Sequence, residues 1–179
     1  MSPSKPPSRG IGTLQAEMGQ SRPFASVNQE ATVALLRTAS VVTRAFARVV
    51  EPAGLSWAQY NALRIIRGAG RAGVPTLAIR ERMIDEGTTI TRLLDKLEAA
   101  GLISRERSEP DRRQVMCYAT EEGRRLLNQL DPKVDALDEA AVGFLPATRL
   151  VALIHTLDQI RQANAARGAA RSAAGAAAD

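Results

Sequence analysis

The apolar residues of this chain follow two rhythms. From Ser26 to about Val50, Val33, Leu36, Ala39, Val42, Phe46 and Val49 recur every three or four positions, which predicts an amphipathic helix ended by Pro52 and Gly54. Ser56 opens S-W-A-Q, a capping box with Gln59, and Trp57, Tyr60, Leu63 and Ile66 carry a second helix over 57–67, stopped by Gly68 and Gly70. A short helix follows over 75–83, with Leu77, Ile79 and Met83 apolar. After the turn Ile84-Asp85-Glu86-Gly87, a further helix spans about Thr88 to Ala100, with Gly101 placed for left-handed backbone. The period then drops to two. Residues 102–107 and 114–119 read as strands, joined by 108–113, where Pro110 and Asp111 are turn formers.

Thr120 caps a helix running to about Leu130, and Asp131-Pro132 has the form of an N-cap followed by proline at the first helical position, predicting a restart or kink. The continuation carries Val134, Leu137, Ala141 and Phe144. After Pro146 a last helix holds Leu150, Val151, Leu153, Ile154, Leu157 and Ile160. Residues 1–25, with Pro3, Pro6, Pro7 and Pro23, and the Ala/Gly-rich residues 168–179 read as flexible tails. Alanine's helix propensity offers the alternative that the last helix simply extends, against which stand Gly168 and Gly175.

The chain's 179 residues suit one domain, and 45% hydrophobic with 24% charged residues suit a packed core. Six aromatics, 3% of the chain, are too few for the stacking platforms that hold single-stranded nucleic acid. One cysteine and one histidine build no zinc site, disulfide or Cys-x-x-Cys pair within one chain, so no metal or cofactor is expected, and a reducing cytoplasm is. No apolar run approaches the roughly 18 residues of a membrane span, and the N-terminal residues lack the apolar core of a signal peptide; neither export nor membrane insertion is expected. A net charge of +5 and a pI near 10.1 suggest a polyanionic partner. Residues 80–125, however, hold ten Lys/Arg and ten Asp/Glu, so individual cations matter more than the sum.

Two helices joined by a four-residue turn and followed by a two-stranded ribbon with a charged tip form a helix-turn-helix with a wing. With Ile90 at 0° and about 100° per residue, Leu93, Leu94 and Leu97 fall within about 60° and form the buried face. The opposite arc holds Thr88, Arg92, Asp95 and Lys96, flanked by Thr89 and Thr91. Short hydroxyls permit close approach to phosphates and base edges, Arg92 can grip guanine O6/N7, and Lys96 can meet a phosphate. On an arbitrary helix the same residues would merely be a solvated face; the adjoining wing favours the major groove of duplex DNA.

The run T-I-T-R-L-L-D-K-L-E-A-A-G-L-I-S-R (89–105), then E-P-D-R-R (109–113) and A-T-E-E-G-R-R-L-L (119–127), resembles the MarR family of winged-helix transcriptional regulators in order and spacing. The resemblance covers about residues 28–165. It implies a mainly α (α+β) winged helix-turn-helix with a helical dimerisation region built from the N- and C-terminal helices. On that plan 26–167 is one domain, with 26–54 and 121–167 as dimerisation helices and 55–120 as the DNA-binding part. It also implies a homodimer that presents two winged helices to a pseudo-palindromic operator. Arg113 would enter the minor groove, oriented by Asp111, and Arg112 would contact phosphate or share the groove. Two positions depart from the family pattern: Ile79-Arg80 where Leu-Ala is common, and Ile84 where a turn glycine is common. Arg80 is therefore a candidate phosphate contact.

The function expected is that of a sequence-specific, double-stranded DNA-binding regulator, a repressor released by a small aromatic or anionic effector. In the family the first two helices line a cleft, which makes Arg37, Arg44, Phe46, Trp57 and Tyr60 candidate effector residues; core packing is the alternative for the aromatics. From another class, the chain would be a winged-helix interaction or ligand-binding module without specific DNA binding. Residues 68–73 satisfy G-x-G-x-x-G, but a helix precedes them and Pro75 follows, the reverse of a dinucleotide site; the resemblance implies a short β-contact there instead. Some members of the family sense oxidants through cysteine, but Cys117 alternates with Val115 and Ala119 on the apolar side of its strand, as a buried structural thiol would. His155 has no second histidine, no nucleophile elbow occurs, and no enzyme constellation is present.

Overall fold

Side chains fix where the helices begin. The computed structural model, which describes residues 13–84, 89–108 and 111–176, has α1 at Thr13–Glu17 and α2 at Val27–Val50, capped by Ser26, whose hydroxyl accepts the Gln29 N–H. α3, Trp57–Gly68, starts in the expected capping box: the Gln59 N–H donates to Ser56 Oγ at 3.2 Å, and the Ser56 N–H donates to Gln59 Oε1 at 2.8 Å. A 3-10 turn over Gly70–Ala72 leads into β1, Val74–Pro75, so the glycine-rich segment connects helix to strand. α4 spans Thr76–Arg82 and α5 Ile90–Ala99. β2, Ile103–Arg107, and β3, Val115–Ala119, form the ribbon, and β1 adds to it in the order β1-β3-β2, all antiparallel.

The register pairs Val74 with Cys117, Ile103 with Ala119 and Arg105 with Cys117. Behind the sheet, Leu63 and Ile66 of α3, Ile79 of α4 and Leu93, Leu94 and Leu97 of α5 are buried. Each leucine buried this fully contributes on the order of 1.5–3 kcal/mol. Gly101, at φ +69°, turns the chain directly from α5 into β2, as its position predicts. Asn61 of α3 accepts the Ile84 N–H at 3.0 Å and ties the exit of α4 to the core.

α6 runs unbroken over Glu121–Val142, with Pro132 inside it, so the expected restart at Asp131-Pro132 is corrected. α7 spans Ala147–Ala176. The expected tail from residue 168 is therefore helical as far as 176: alanine's propensity outweighs the two glycines there. Residues 13–17, also assigned to a tail, form one turn of helix. The chain divides into two compact units, 1–127 and 128–179, which meet within α6. α2 belongs to the first unit because Phe46 and Val50 are buried and Phe46 packs on Trp57 of α3, with ring centroids 4.9 Å apart.

Candidate nucleic-acid interface

α5 displays the predicted two faces. Leu93, Leu94 and Leu97 are buried and Ile90 is half-buried, whereas Thr89, Thr91, Arg92, Asp95 and Lys96 are exposed. Thr89 is the N-cap, yet its side chain makes no capping hydrogen bond. Thr88 lies outside the described residues. Neither Arg92 nor Lys96 forms an ion pair among the described residues, and the same holds for Arg112 and Arg113.

The tip of the wing is set by backbone contacts. The Ser108 N–H donates to the Gln114 carbonyl at 3.0 Å, and the Gln114 N–H donates to the Asp111 carbonyl at 2.9 Å. Asp111 Oδ1 accepts the backbone N–H of Arg113 at 3.0 Å. The carboxylate shapes the turn, as aspartates do two residues back from an N–H, and meets Arg113 through its backbone N–H.

Two depressions flank α5 and divide the predicted residues between them. A groove of about 650 Å³ between α4, α5 and the wing is lined by Thr91, Arg113 and Arg80, the last exposed on α4. On the other flank, a shallower depression of about 250 Å³ is lined by Thr89, Arg92 and Lys96 together with Ser56 and Gln59 at the start of α3. Cations thus stand on both sides of one exposed helix, a chemistry suited to a polyanion lying across it.

Sequence patterning missed Arg105. Its guanidinium Nη2 lies 2.7 Å from Asp95 Oδ1 and 2.5 Å from Glu98 Oε2, and Nε donates to Glu98 Oε2 at 2.9 Å. The hydrogen bond from Arg105 holds the Glu98 carboxyl below its ordinary value, and the same contact raises Arg105. A signal was available: Arg105 occupies the strand face of buried Ile103, where alternation calls for an apolar residue, and carboxylates precede it by seven and ten positions.

Thr120 explains the motif that follows the wing. Its hydroxyl donates to the Gly101 carbonyl at 2.7 Å and accepts the Gly123 N–H at 3.0 Å, joining the start of α6 to the end of α5. A Cβ on Gly123 would fall on the Leu102 carbonyl oxygen, so this position admits only glycine without rearrangement.

The candidate effector residues are not brought to one wall. Phe46, Trp57 and Tyr60 stack in series, Trp57 to Tyr60 at 5.5 Å, with Phe46 and Tyr60 buried and Trp57 half-buried. Arg44 and Arg37 precede Phe46 by two and nine positions on the continuous α2, which sets them on about the opposite side of that helix. Cys117 is buried as expected; burial pushes its thiol up, and Thr76 Oγ1 lies 3.9 Å from Sγ. His155 is exposed and meets Gln159. No single helix among the described residues is long and apolar enough to cross a membrane.

Comparison with known proteins gives a consistent picture. The model of the MarR family matches residues 55–115. A solved MarR transcription factor from Planctomyces limnophilus is 34% identical with a TM-score of 0.58, covering 76% of this chain and 99% of that one. CouR from Rhodococcus jostii RHA1, solved bound to p-coumaroyl-CoA, is 27% identical with a TM-score of 0.65, covering 76% and 95%. The HTH-type transcriptional regulator TtmR of Methylorubrum extorquens (strain PA1) is 29% identical over 119 residues, 66% of this chain; the match spans 60% of TtmR's own length.

Proposed function

The chain belongs to the MarR family, whose members are transcriptional regulators and not enzymes, and on that premise we propose that it is a sequence-specific reader of double-stranded DNA. The observation that carries this is the set of cations around α5, Arg92 and Lys96 on one flank and Arg113 and Arg80 on the other, none of which forms an ion pair among the described residues. Thr89 and Thr91 permit close approach at the helix start, and Arg113 reaches the minor groove from a wing whose turn Asp111 fixes. Arg112, exposed beside it, contacts phosphate.

The protein acts as a homodimer on a pseudo-palindromic operator. Leu36 and Val41 of α2 are exposed, as are Phe144, Val151 and Ile154 in the second unit, and a second copy would cover such surface. It represses its target and is released by a small organic effector, a role supported by the ligand-bound CouR structure. Trp57, the middle ring of the Phe46–Trp57–Tyr60 series and the one only half-buried, is the aromatic with surface to offer such a molecule. On this reading the protein works in the cytoplasm, where it would meet such an operator.

The test is enrichment of duplexes from a random-sequence pool, followed by gel shifts with the best binder. Wild type should bind with steep salt dependence, and Arg113→Ala should bind weakly. Unchanged affinity for Arg113→Ala would remove the wing assignment, and failure to enrich any duplex would remove the function.

A further inference from the structure

We infer that Arg105 is a positioning residue for DNA reading: it joins the wing to α5 and masks the two carboxylates of that helix without itself touching DNA. The inference rests on the DNA-reading function proposed above.

Three observations carry it. First, Arg105 shares the β2 face of buried Ile103, across from buried Cys117, and its guanidinium reaches Asp95 and Glu98 of α5. A guanidinium on the inner face of a strand is tolerated when its donors are engaged, and here Nη2 bridges Asp95 and Glu98 while Nε bonds Glu98 again. Second, the side chain of Arg105 is only 24% exposed, whereas that of Asp95 is 53% exposed; the arginine lines the groove between α4, α5 and the wing with its guanidinium engaged by α5, and Asp95 lies on the exposed face of that helix. Third, Asp95 follows Arg92 by three positions and precedes Lys96 by one. At that spacing a free carboxylate pairs with Arg92 and repels phosphate. With Asp95 held by Arg105, Arg92 and Lys96 carry no ion pair among the described residues.

The clamp also crosses the only chain connection between helix and wing. The Gly101 turn leads α5 straight into β2, and the Leu102 N–H donates to the Leu97 carbonyl at 3.0 Å. Arg105 adds the side-chain strut that fixes the angle of the ribbon against the helix, and therefore the distance between Arg92 on one and Arg113 on the other.

The experiment is a double-mutant cycle on the duplex enriched by wild type, with Arg105→Gln on one axis and the pair Asp95→Asn, Glu98→Gln on the other. Arg105→Gln should lose about tenfold or more in affinity, on the scale of like charges brought against phosphate, with the slope of log K against log salt unchanged. Neutralising the carboxylates should gain affinity in the Arg105→Gln background and none in wild type. If Arg105 instead touches phosphate, the slope falls by about 0.9 and neutralisation gains equally in both backgrounds, which overturns the inference. Where Arg105→Gln does not fold, Arg105→Lys serves: it keeps the charge but not the fork, so several-fold weaker binding is expected, on the ground that the two ions are not interchangeable at forked sites. Unchanged binding by Arg105→Lys would overturn the inference. A wild type that enriches no duplex overturns the DNA-reading function and this inference together. Normal enrichment with Arg105→Gln indistinguishable from wild type overturns the inference alone.

Discussion

Glycine-to-alanine substitutions at two positions should change stability in opposite directions. At Gly123, the third residue of α6, the new methyl falls on the Leu102 carbonyl oxygen and comes within 3.3 Å of Leu63 Cδ1. The carbonyl cannot yield freely, because it accepts the Thr120 N–H at 3.1 Å. Overpacking of a fixed backbone costs about 1–3 kcal/mol, and loss of that hydrogen bond about 1 kcal/mol. The helix propensity of alanine returns at most about 1 kcal/mol. The net destabilisation is about 1–3 kcal/mol, or roughly 2–12 °C in Tm at 2–4 °C per kcal/mol for a chain of this size. At Gly68, the last residue of α3, an added methyl would meet no atom within 4 Å, and φ is not positive. Alanine there should stabilise by about 0.4–1 kcal/mol through the unfolded state. Thermal melts followed by circular dichroism compare the two directly. A Gly123→Ala protein melting at or above wild type would refute the close approach of α6 to the α5–β2 turn.

Arg92→Ala should lose roughly 1–3 kcal/mol on the preferred duplex and relax preference at one base pair; an equal loss on every sequence, in competition gel shifts, would make Arg92 a phosphate contact. Cys117 should resist a thiol reagent in native protein at neutral pH and react once denaturant is added, because burial pushes the thiol up; stoichiometric native labelling would contradict this. Glu98 titrates below its ordinary 4.5 when folded, so its stabilising contribution is complete above that value and is lost as pH falls through the lower folded one. Wild type should accordingly lose more Tm than Glu98→Gln between about pH 5 and about pH 3, and parallel melts would exclude the coupling.

What the sequence made legible is local. The capping box of α3, the leucine face of α5, the left-handed Gly101 and the two strands each depend on residues within a turn or two of one another. The two-residue β1 is too short to carry a period and follows only from the family resemblance. Pro132 misleads because its local pattern fits a helix start as well as a helix interior. At Arg105 and Gly123 the determining contacts cross from strand to helix and from helix to turn; the break in apolar alternation at Arg105 is local, but the partners of both residues are not. Asp111 lies between these cases: its position in the wing is visible in the sequence, but the atom it grips is not.

The pairing of Arg105 with Asp95 and Glu98 has a kinetic consequence. Cations and carboxylates cancel across residues 80–125, and at physiological salt fixed charges are screened beyond about 8 Å. A duplex approaching this surface is therefore guided little from afar and senses individual arginines only on arrival. Collision rates should differ little between one operator and another, and dwell time on the site becomes the quantity in which sequences are told apart.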